Sequence, residues 1–490
     1  MQLKTVSSAL VAFAFCAISA SQPAEASPEK RAITMPMHRR AAANSRGIMT
    51  NSDGSVDRRA LALEMAHVQR RYGSDAEDEE SEPSSREKRW VNIPKLITEG
   101  IADMWEDVLD SNHGVAHVAS QETETGTTGN RVSGTASKKS SHRVLKTSNG
   151  PQRKAQLPMR DILMSSNREL EFLVEAKIGT PAQSFWLDPD SGSSDSWVKG
   201  KNCNGANCGN ASRARYLRSK SSTGIKTPGD KTFTLQYGIG DVEGALIRDT
   251  FALGDINIAN FTIGAATKLS KDFKTDKADG ILGLGFRELA SAHQKPFVDR
   301  VTEGNNLPQP VMSFAFGRHL SGTDAKSEML IGDVNKSLFK GDLAYYDVQQ
   351  SGYWEFKFDS FASGTAKGVQ KGAGIVDTGT SLIAMPSQQA KAFWADVKGS
   401  KYDSASGTYT FPCDAKVDAT LSLPNGKKFS LNEQDLNIGT DGAGSKRCVG
   451  AVLSSSTPGQ TIFGLAALKS VYTVLDFGEK PRIGFAPINF

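Results

Sequence analysis

A five-residue phrase occurs twice in this chain and constrains its fold more than any other feature. The first copy, "DSGSS", occupies residues 190–194, and the second, "DTGTS", occupies residues 377–381. Each copy is followed, many residues later, by two apolar residues and a glycine, "ILG" at 281–283 and "IFG" at 462–464. A repeat on this scale predicts two related halves that face each other across a cleft and supply one Asp each.

The rest of the sequence fits a soluble β protein of more than one unit. Its 490 residues correspond to two or three domains, and a net charge of +4 gives no indication of nucleic-acid binding. From residue 155 onward, short apolar runs alternate with polar residues and are separated by Gly, Asn and Asp, which is typical of strands. We therefore predict an all-β fold from there on, with one clear helix over residues 387–399.

The N-terminus has the composition of a secretion signal. Lys4 precedes an apolar run over residues 10–20, and small residues follow it, which predicts a signal peptide over residues 1–26. The run is shorter than the ~20 residues that a membrane-spanning helix needs. We expect a secreted, extracellular protein with no membrane anchor.

Residues 27–154 differ in composition from the remainder and indicate a pro-segment that is partly disordered. An acidic run and a stretch rich in Ser, Thr, Gly and Lys bury little apolar surface. Basic pairs recur through the segment, as processing sites do in secreted chains, although a solvated basic tail is the alternative. These pairs lie at 30–31, 39–40, 70–71, 88–89 and 153–154.

Two parts of this segment carry further predictions. We predict cleavage after Lys154, with the cationic stretch 137–146 lying near acidic groups of the mature protein before cleavage. Residues 90–110 have apolar side chains at helical spacing, which predicts a helix that packs on the mature protein.

The cysteine pattern predicts two disulfides. Cys16 leaves with the signal, and the remaining even set passes through an oxidising route. Cys203 and Cys208 are close in sequence, so we pair them with each other and Cys413 with Cys448. A metal site is the alternative, but no His is near either pair, and we expect neither a metal nor a cofactor.

Three sequons are candidates for N-linked glycosylation in a secreted protein. They lie at Asn210, Asn260 and Asn335. Sequons are common by chance, so each is a candidate only.

The repeated Asp suggests a definite chemistry, because peptide hydrolysis needs a base to activate water and an acid to protonate the product side. Two neighbouring carboxylates can do both, since like charges held close together cannot both ionise easily and share one proton. The phrase occurs twice because such a dyad needs two equal contributors. We take Asp190 and Asp377 as the catalytic pair.

From residue 157 to the end, the chain resembles the pepsin-like aspartic endopeptidases. The resemblance rests on both Asp segments, on "YGIGDVEG" (237–244) and on the strands "KADGILGLGF" (277–286) and "TIFGLAALKSVYTVLDF" (461–477), all in the family's order. It implies a bilobal all-β fold with an N-terminal lobe over 155–340, a C-terminal lobe over 341–490, a cleft between them and a β-hairpin flap. It also implies the disulfide pairing given above.

The resemblance assigns roles to individual residues. The hydroxyls of Ser191 and Thr378 would lock the two loops together, and Gly192 and Gly379 would allow the tight turns. Ser193 and Thr380 would bond the outer carboxylate oxygens. The flap would carry Tyr237, Gly238 and Ile239, with Trp197 as the hydrogen-bond partner of the tyrosine.

Asp188 departs from the family pattern, which places an apolar residue there. Strand alternation points it to the same side as Asp190, beside the pocket for the residue before the scissile bond. If it stays charged, it should raise the pKa of the dyad, extend activity to milder acid and favour Lys or Arg in the substrate. Alternatively, Pro189 bends the strand and turns Asp188 to solvent.

The function predicted is a secreted aspartic endopeptidase made as a zymogen. It would act on polypeptides, be inhibited by its own pro-segment and be a monomer. The alternative is a non-catalytic binding protein on the same fold, but such relatives lose a catalytic Asp or the flap Tyr, and this chain keeps all three. A serine or metallo-hydrolase is disfavoured because the mature region has neither an HExxH nor a G-x-S-x-G motif.

Overall fold

In a computed structural model of the protein, the described residues are 51, 53, 55–57, 61, 71–72 and 152–490, without 165–166, 210–212, 230, 238–239, 275, 293, 304, 350–351, 365–368, 405 and 456–458. They belong to one compact unit, Ser45–Phe490. The predicted signal peptide, the helix over 90–110 and the cationic stretch 137–146 lie outside the described residues.

The first half is built on a nine-stranded sheet. Strands are numbered in chain order, and those of this sheet are β2 (Arg160–Leu163), β3 (Glu169–Ile178), β4 (Gln183–Asp190), β5 (Trp197–Lys199), β6 (Ile225–Lys226), β7 (Thr232–Tyr237), β8 (Gly240–Leu253), β9 (Ile256–Leu269) and β10 (Gly280–Gly283). Their order is β2-β3-β4-β10-β5-β9-β8-β6, with β7 paired to β8. The β7–β8 hairpin is the segment predicted as the flap.

The second half contains a seven-stranded and a four-stranded sheet. The larger sheet is formed by β14 (Glu355–Ser363), β15 (Val369–Val376), β16 (Ile383–Pro386), β19 (Ala419–Ser422), β20 (Lys428–Ser430), β23 (Val452–Ser455) and β24 (Gln460–Phe463), in the order β20-β19-β14-β15-β24-β16-β23. The smaller sheet has the order β17-β18-β22-β21, in which β17 is Lys401–Asp403, β18 is Thr408–Pro412, β21 is Asn437–Thr440 and β22 is Arg447–Gly450.

A six-stranded sheet takes strands from both halves and joins them. Its members are β1 (Ala155–Pro158), β11 (Val311–Ala315), β12 (Glu328–Ile331), β13 (Ala344–Asp347), β25 (Val471–Asp476) and β26 (Arg482–Pro487), in the order β1-β12-β11-β25-β26-β13. The junction is the antiparallel pair β11–β25, in which Val311 lies opposite Asp476.

Helices are short in the described part of the chain. The α-helices are α1 (Phe297–Arg300), α2 (Ser387–Ala395) and α3 (Leu465–Leu468). Helix α2 confirms the predicted helix but ends before 399, and it buries Ala390, Phe393 and Trp394 at i, i+3 and i+4 spacing. The 3₁₀ helices are Ala206–Cys208, Arg218–Lys220, Lys271–Lys274, Arg287–Leu289, His319–Ser321, Asp324–Lys326, Lys336–Leu338 and Glu433–Leu436. The predicted all-β class is confirmed.

The sequence repeat is also a repeat of strand pairing. Strand β4 runs parallel to β10, with Asp190 opposite Gly283, and β15 runs parallel to β24, with Val376 opposite Phe463. Each of these inner strands also pairs with an antiparallel neighbour: β10 pairs with β5, and β24 pairs with β16. Each "apolar-apolar-Gly" run therefore lies beside the strand that leads into an Asp, which explains why the two signals recur together.

Both predicted disulfides are present. Cys203 bonds to Cys208 with their Cα atoms 5.7 Å apart, and Cys413 bonds to Cys448 with their Cα atoms 4.9 Å apart. The first closes a short loop after β5, and the second links the segment after β18 to β22.

A buried ionic network connects the two halves. Lys469 Nζ lies 2.6 Å from Glu169 Oε2 and 2.7 Å from Asp435 Oδ1, and Arg318 Nη2 lies 2.7 Å from Asp435 Oδ2. All four side chains are at most 5% exposed. Removing one member of such a network leaves a buried charge without its partner and typically costs about 3–5 kcal/mol of stability.

Candidate active site

The two repeated Asp residues occupy corresponding positions and are buried. Asp190 is the last residue of β4 and Asp377 follows the last residue of β15; they are 1% and 0% exposed. The amide N–H of Gly192 donates to Asp190 Oδ1 at 2.9 Å, and that of Gly379 donates to Asp377 Oδ1 at 3.0 Å. Each carboxylate is thus held by its own loop in the same way.

The glycine of each loop lies against the carboxylate of the other loop. A Cβ atom added at Gly379 would lie 2.5 Å from Asp190 Oδ1, and one added at Gly192 would lie 2.8 Å from Asp377 Cγ. Both distances are below van der Waals contact. The glycines are therefore required by the close approach of the two loops.

Two crossed hydrogen bonds fasten the loops to each other. The N–H of Ser191 donates to Thr378 Oγ1 at 3.0 Å, and the N–H of Thr378 donates to Ser191 Oγ at 2.9 Å. Each hydroxyl then donates across the interface, Ser191 Oγ to the carbonyl of Val376 at 2.8 Å and Thr378 Oγ1 to the carbonyl of Pro189. A serine in place of threonine in the first copy leaves this pattern complete.

Hydroxyls also hold the second oxygen of each carboxylate. Ser193 Oγ donates to Asp190 Oδ2 and Thr380 Oγ1 donates to Asp377 Oδ2. With the glycine amides, both oxygens of each carboxylate have a donor from their own loop, so their positions are fixed before any substrate arrives.

A guanidinium from outside the repeated segments bridges the two carboxylates. Arg71 Nη1 lies 3.0 Å from Asp190 Oδ1 and 3.2 Å from Asp377 Oδ2, and Nη2 lies 2.9 Å from Asp190 Oδ2. Its side chain is 8% exposed. The centre of the pair is therefore occupied by a residue of the predicted pro-segment.

The next residue adds a phenol to the same centre. Tyr72 Oη donates to Asp377 Oδ2 at 2.6 Å, and its ring packs against Tyr353 with centroids 5.1 Å apart. Tyr353 Oη in turn donates to the carbonyl of Arg71 at 3.1 Å. Residues of both halves thus contact Arg71 or Tyr72.

The predicted flap lies over the same guanidinium. The centroid of the Tyr237 ring is 5.9 Å from Arg71 Cζ, and Trp197 Nε1 donates to Tyr237 Oη at 3.0 Å. Strands β7 and β8 pair up to Tyr237 opposite Gly240. The tip between them, Gly238 and Ile239, lies outside the described residues.

Burial and charge act in opposite directions on these groups. Burial raises the pKa of Asp190, whereas the Arg71 guanidinium lowers it and the Asp377 carboxylate raises it. Burial disfavours the charge on Arg71, but Asp190 and Asp377 hold its pKa above the usual value. Burial, together with Asp377, raises the pKa of Tyr72 well above its usual value, so the phenol stays a neutral donor.

Asp188 lies on β4 two residues before Asp190, opposite Ile281 of β10. Burial raises the pKa of its carboxyl well above the usual value, and the charges of Asp190 and Glu171 raise it further. Its Oδ1 atom is enclosed and has no hydrogen-bond partner within the described part of the chain. The Asp188 carboxyl therefore lies close enough to Asp190 to interact with it electrostatically.

The sequence interpretation did not identify Arg71 and Tyr72. It treated the basic pair 70–71 as a processing signal, yet in this structure the Arg71 side chain is buried against two carboxylates. The signal that could have found the contact is the tyrosine directly after the basic pair, because a cation and a phenol together suit a pair of carboxylates.

The sequon asparagines have different surroundings. Asn260 is exposed at a positive φ of 51° in β9, and Asn210 lies outside the described residues. Asn335 is partly buried, and its amide nitrogen donates to Glu328 Oε1 at 3.0 Å. A glycan on that nitrogen would have to displace this bond.

Other features bear on cofactors and membranes. One set of possible cation ligands in the described regions is Asp161, His319 and Asp324, whose ligand atoms lie within 4.8 Å of one another. Within the same regions, no helix has the length and apolar character needed to cross a membrane.

Comparison with known proteins agrees with the geometry. The family model described as eukaryotic aspartyl protease matches residues 171–488. The chain is 32% identical over 323 residues to endothiapepsin of Cryphonectria parasitica, covering 64% of this chain and 74% of that protein. It is 29% identical over 337 residues to major aspartyl peptidase 1 of Cryptococcus neoformans var. grubii, covering 64% and 68%.

Vacuolar protease A of Neurospora crassa is 32% identical over 313 residues, covering 63% of this chain and 76% of that protein. The relatives therefore include a vacuolar enzyme by name. All these matches cover nearly the same share of the chain. The chain belongs to the eukaryotic aspartyl protease family and is an aspartic-type endopeptidase.

Proposed function

We propose that this endopeptidase is made as a secreted zymogen, in which Asp190 and Asp377 are the catalytic dyad and Arg71 with Tyr72 keeps the dyad occupied until the pro-segment is removed. The observation that carries the proposal is the guanidinium of Arg71, which lies within 3.2 Å of both carboxylates. While the guanidinium fills this space, a substrate carbonyl and the attacking water molecule cannot enter it.

In the activated enzyme, the dyad performs general acid and base catalysis. Two buried carboxylates that face each other hold one shared proton, because ionising both at once is unfavourable. One carboxylate takes a proton from the attacking water while the other donates the shared proton to the carbonyl oxygen. The tetrahedral intermediate then breaks its C–N bond as the carboxyl that took the water proton gives it to the leaving nitrogen. The other carboxylate takes a proton from a hydroxyl of the intermediate, which forms the product acid and restores the shared proton.

The neighbouring residues position the dyad and close the site. Ser193 and Thr380 keep one oxygen of each carboxylate oriented, and the crossed bonds of Ser191 and Thr378 keep the loops at a fixed separation. Tyr237, held by Trp197, closes over substrate and excludes water other than the nucleophile.

The charge on the dyad makes the pro-segment contact sensitive to pH. Arg71 lowers the pKa of Asp190, so its attraction is fully present while the carboxylate is ionised and is lost as the pH falls through the pKa. Tyr72 stays protonated and therefore neutral, so its hydrogen bond to Asp377 does not replace the ionic attraction that Arg71 loses. Acid should therefore release the segment and start activation.

Secretion is supported by the apolar run at residues 10–20 and by the two disulfides, which persist in oxidising compartments. Cleavage after Lys154 is supported by the start of β1 at Ala155, the first strand of the mature region. No described contact calls for a second copy of the chain, and we propose a monomer.

Acidification of the full chain tests this proposal. Purified intact protein should not cleave a peptide at neutral pH, should become active after a shift to acid, and should then begin at Ala155 by N-terminal sequencing. An inhibitor that mimics the tetrahedral intermediate should block the activity. Full activity of intact chain at neutral pH, or a mature start upstream of residue 120, would contradict the zymogen proposal.

A further inference from the structure

One oxygen of a carboxyl group beside the dyad has no hydrogen-bond partner within the described part of the chain. The Oδ1 atom of Asp188 is enclosed and accepts no hydrogen bond from the described residues. Leaving a buried polar atom without a hydrogen bond is unfavourable. The cost is avoided if the missing donor arrives with the substrate.

The corresponding position in the other half shows that the fold does not require an acid here. Ile375 precedes Asp377 by two residues, as Asp188 precedes Asp190, and it is fully buried in an apolar environment. The same strand arrangement thus accommodates an apolar residue. The acid in the first half calls for an explanation other than folding.

Two further acids lie in the electrostatic neighbourhood of Asp188. Glu171 belongs to β3, and Asp276 lies in the segment before β10; like Asp188, both are partly exposed. Burial, together with the charge of Asp276, raises the pKa of Glu171 to about 8. Asp188, Glu171 and Asp276, here called the acidic recess, are three carboxyl groups that interact with one another, and Asp188 also interacts with Asp190.

The cationic side chains near the acidic recess bond to groups other than Asp188 Oδ1. Lys199 is buried and its Nζ donates to the carbonyl of Ala278 at 2.6 Å. Arg213 donates to the carbonyls of Lys277 and Asp276, and its Nη1 lies 3.9 Å from Asp279. Lys199, Arg213 and Lys277 reduce the negative potential at Glu171 without bonding Asp188 Oδ1.

We propose that the acidic recess binds a Lys or Arg side chain of the substrate, close to the scissile bond on the side formed by the first half. The proposal rests on the proposed function of Asp190 and Asp377. A cationic N–H group would give Asp188 Oδ1 its missing donor and form the charge-assisted bond that a carboxylate favours. The substrate class is therefore polypeptides with basic residues, and the basic pairs of this chain's own residues 27–154 have that chemistry.

Two peptides that differ in one side chain test the proposal. One carries Lys beside the scissile bond and the other carries norleucine, which has a similar length but no charge. For the acid-activated wild-type enzyme, kcat/KM should be higher for the Lys peptide. At the upper end of the active pH range, where Asp188 is ionised, the Lys-to-norleucine ratio of kcat/KM should fall about tenfold or more in Asp188→Asn, mostly through KM, because a charged hydrogen bond becomes a neutral one.

The pH dependence of the same ratio provides a second readout. The carboxyls of the recess ionise as the pH rises, with Lys199, Arg213, Lys277, Asp279, Asp190 and Asp377 as their charged neighbours. The Lys-to-norleucine ratio should therefore rise with pH in the wild-type enzyme and rise less in Asp188→Asn. Asp414→Asn, which removes an exposed acid from the second half, should keep the wild-type ratio at every pH.

The outcomes separate this proposal from the function on which it rests. If the wild-type enzyme cleaves neither peptide, the proposed function fails. If it cleaves the norleucine peptide but shows no preference for Lys at any pH, the acidic recess does not bind a cation. Should Asp188→Asn not fold, Asp188→Ile, which copies Ile375 of the second half, takes its place, and an unchanged Lys-to-norleucine ratio in a folded variant overturns the proposal.

Discussion

The segments around Asp190 and Asp377 have the same backbone pattern but different surroundings. In both, a strand ends at the Asp, a parallel strand lies beside it, and a glycine amide and a hydroxyl hold the carboxylate. On the strand leading into the Asp, however, the first half has Asp188 and Pro189, and the second has Ile375 and Val376.

Arg71 and Tyr72 also contact the two halves unequally. Arg71 contacts both oxygens of Asp190 but one oxygen of Asp377, and Tyr72 donates to Asp377 alone. The fold thus duplicates the geometry around each carboxylate, whereas the residues that we propose to control access and substrate preference differ between the halves. Variants in each half can show where the equivalence of the two halves ends.

Removing either carboxylate should have the largest effect. Asp190→Asn and Asp377→Asn should each lower kcat/KM by about 10³-fold or more, because either change abolishes the shared proton. Peptide hydrolysis by folded, fully processed protein measures this. A near wild-type rate in either variant would show that its Asp is not part of a dyad.

Removing the cation of the pro-segment should rank next. In intact Arg71→Met, the uninhibited fraction at neutral pH should rise about 100-fold or more, since two buried carboxylates lose their partner. Tyr72→Phe should have a smaller effect, because only Asp377 loses a bond. Activity of the intact chain across pH measures both; equal effects of the two variants would place the inhibition elsewhere.

Removing either hydroxyl of the crossed hydrogen bonds should lower the free energy of unfolding by about the same amount. Ser191→Ala and Thr378→Val each leave a buried N–H without its acceptor and should lower the free energy of unfolding by about 1–3 kcal/mol. Chemical denaturation of each variant and of the double variant measures the coupling. Fully additive losses would mean that the two hydroxyls do not act together.

Much of this arrangement could be predicted from the sequence. The pair of Asp residues and the strands beside them follow from a phrase written twice and from alternating apolar residues, which are local signals. The roles of the hydroxyls follow from the family resemblance. The disulfides follow from four cysteines, two of them close together. These features have a period or a spacing that can be counted.

The contacts of Arg71 and Tyr72 could not be predicted in this way. Arg71 is 119 residues from Asp190 and 306 residues from Asp377 in sequence, and a single ion pair has no periodic pattern. The same holds for Glu171 and Asp276, which approach Asp188 only because β3 and the segment before β10 are brought beside β4. Such contacts depend on tertiary packing.

Replacing Asp188 should have the smallest effect on the pH profile. Burial and neighbouring acids raise the pKa of Asp188 well above its usual value, so Asp188 gains its charge at higher pH than an ordinary Asp and then opposes the second ionisation of the dyad. Asp188→Leu should therefore leave the acid limb of kcat/KM within a few tenths of a pH unit and move the upper limb to lower pH. An unchanged upper limb would show that Asp188 does not influence the dyad.

The claim that the two halves form one catalytic unit is tested most directly by the double variant Asp190→Asn/Asp377→Asn. If the carboxylates share one proton, the double variant should have a kcat/KM within about tenfold of either single variant, because the first substitution already removes the unit. If instead the losses of the two single variants multiply in the double variant, the halves contribute independently and the shared dyad is contradicted.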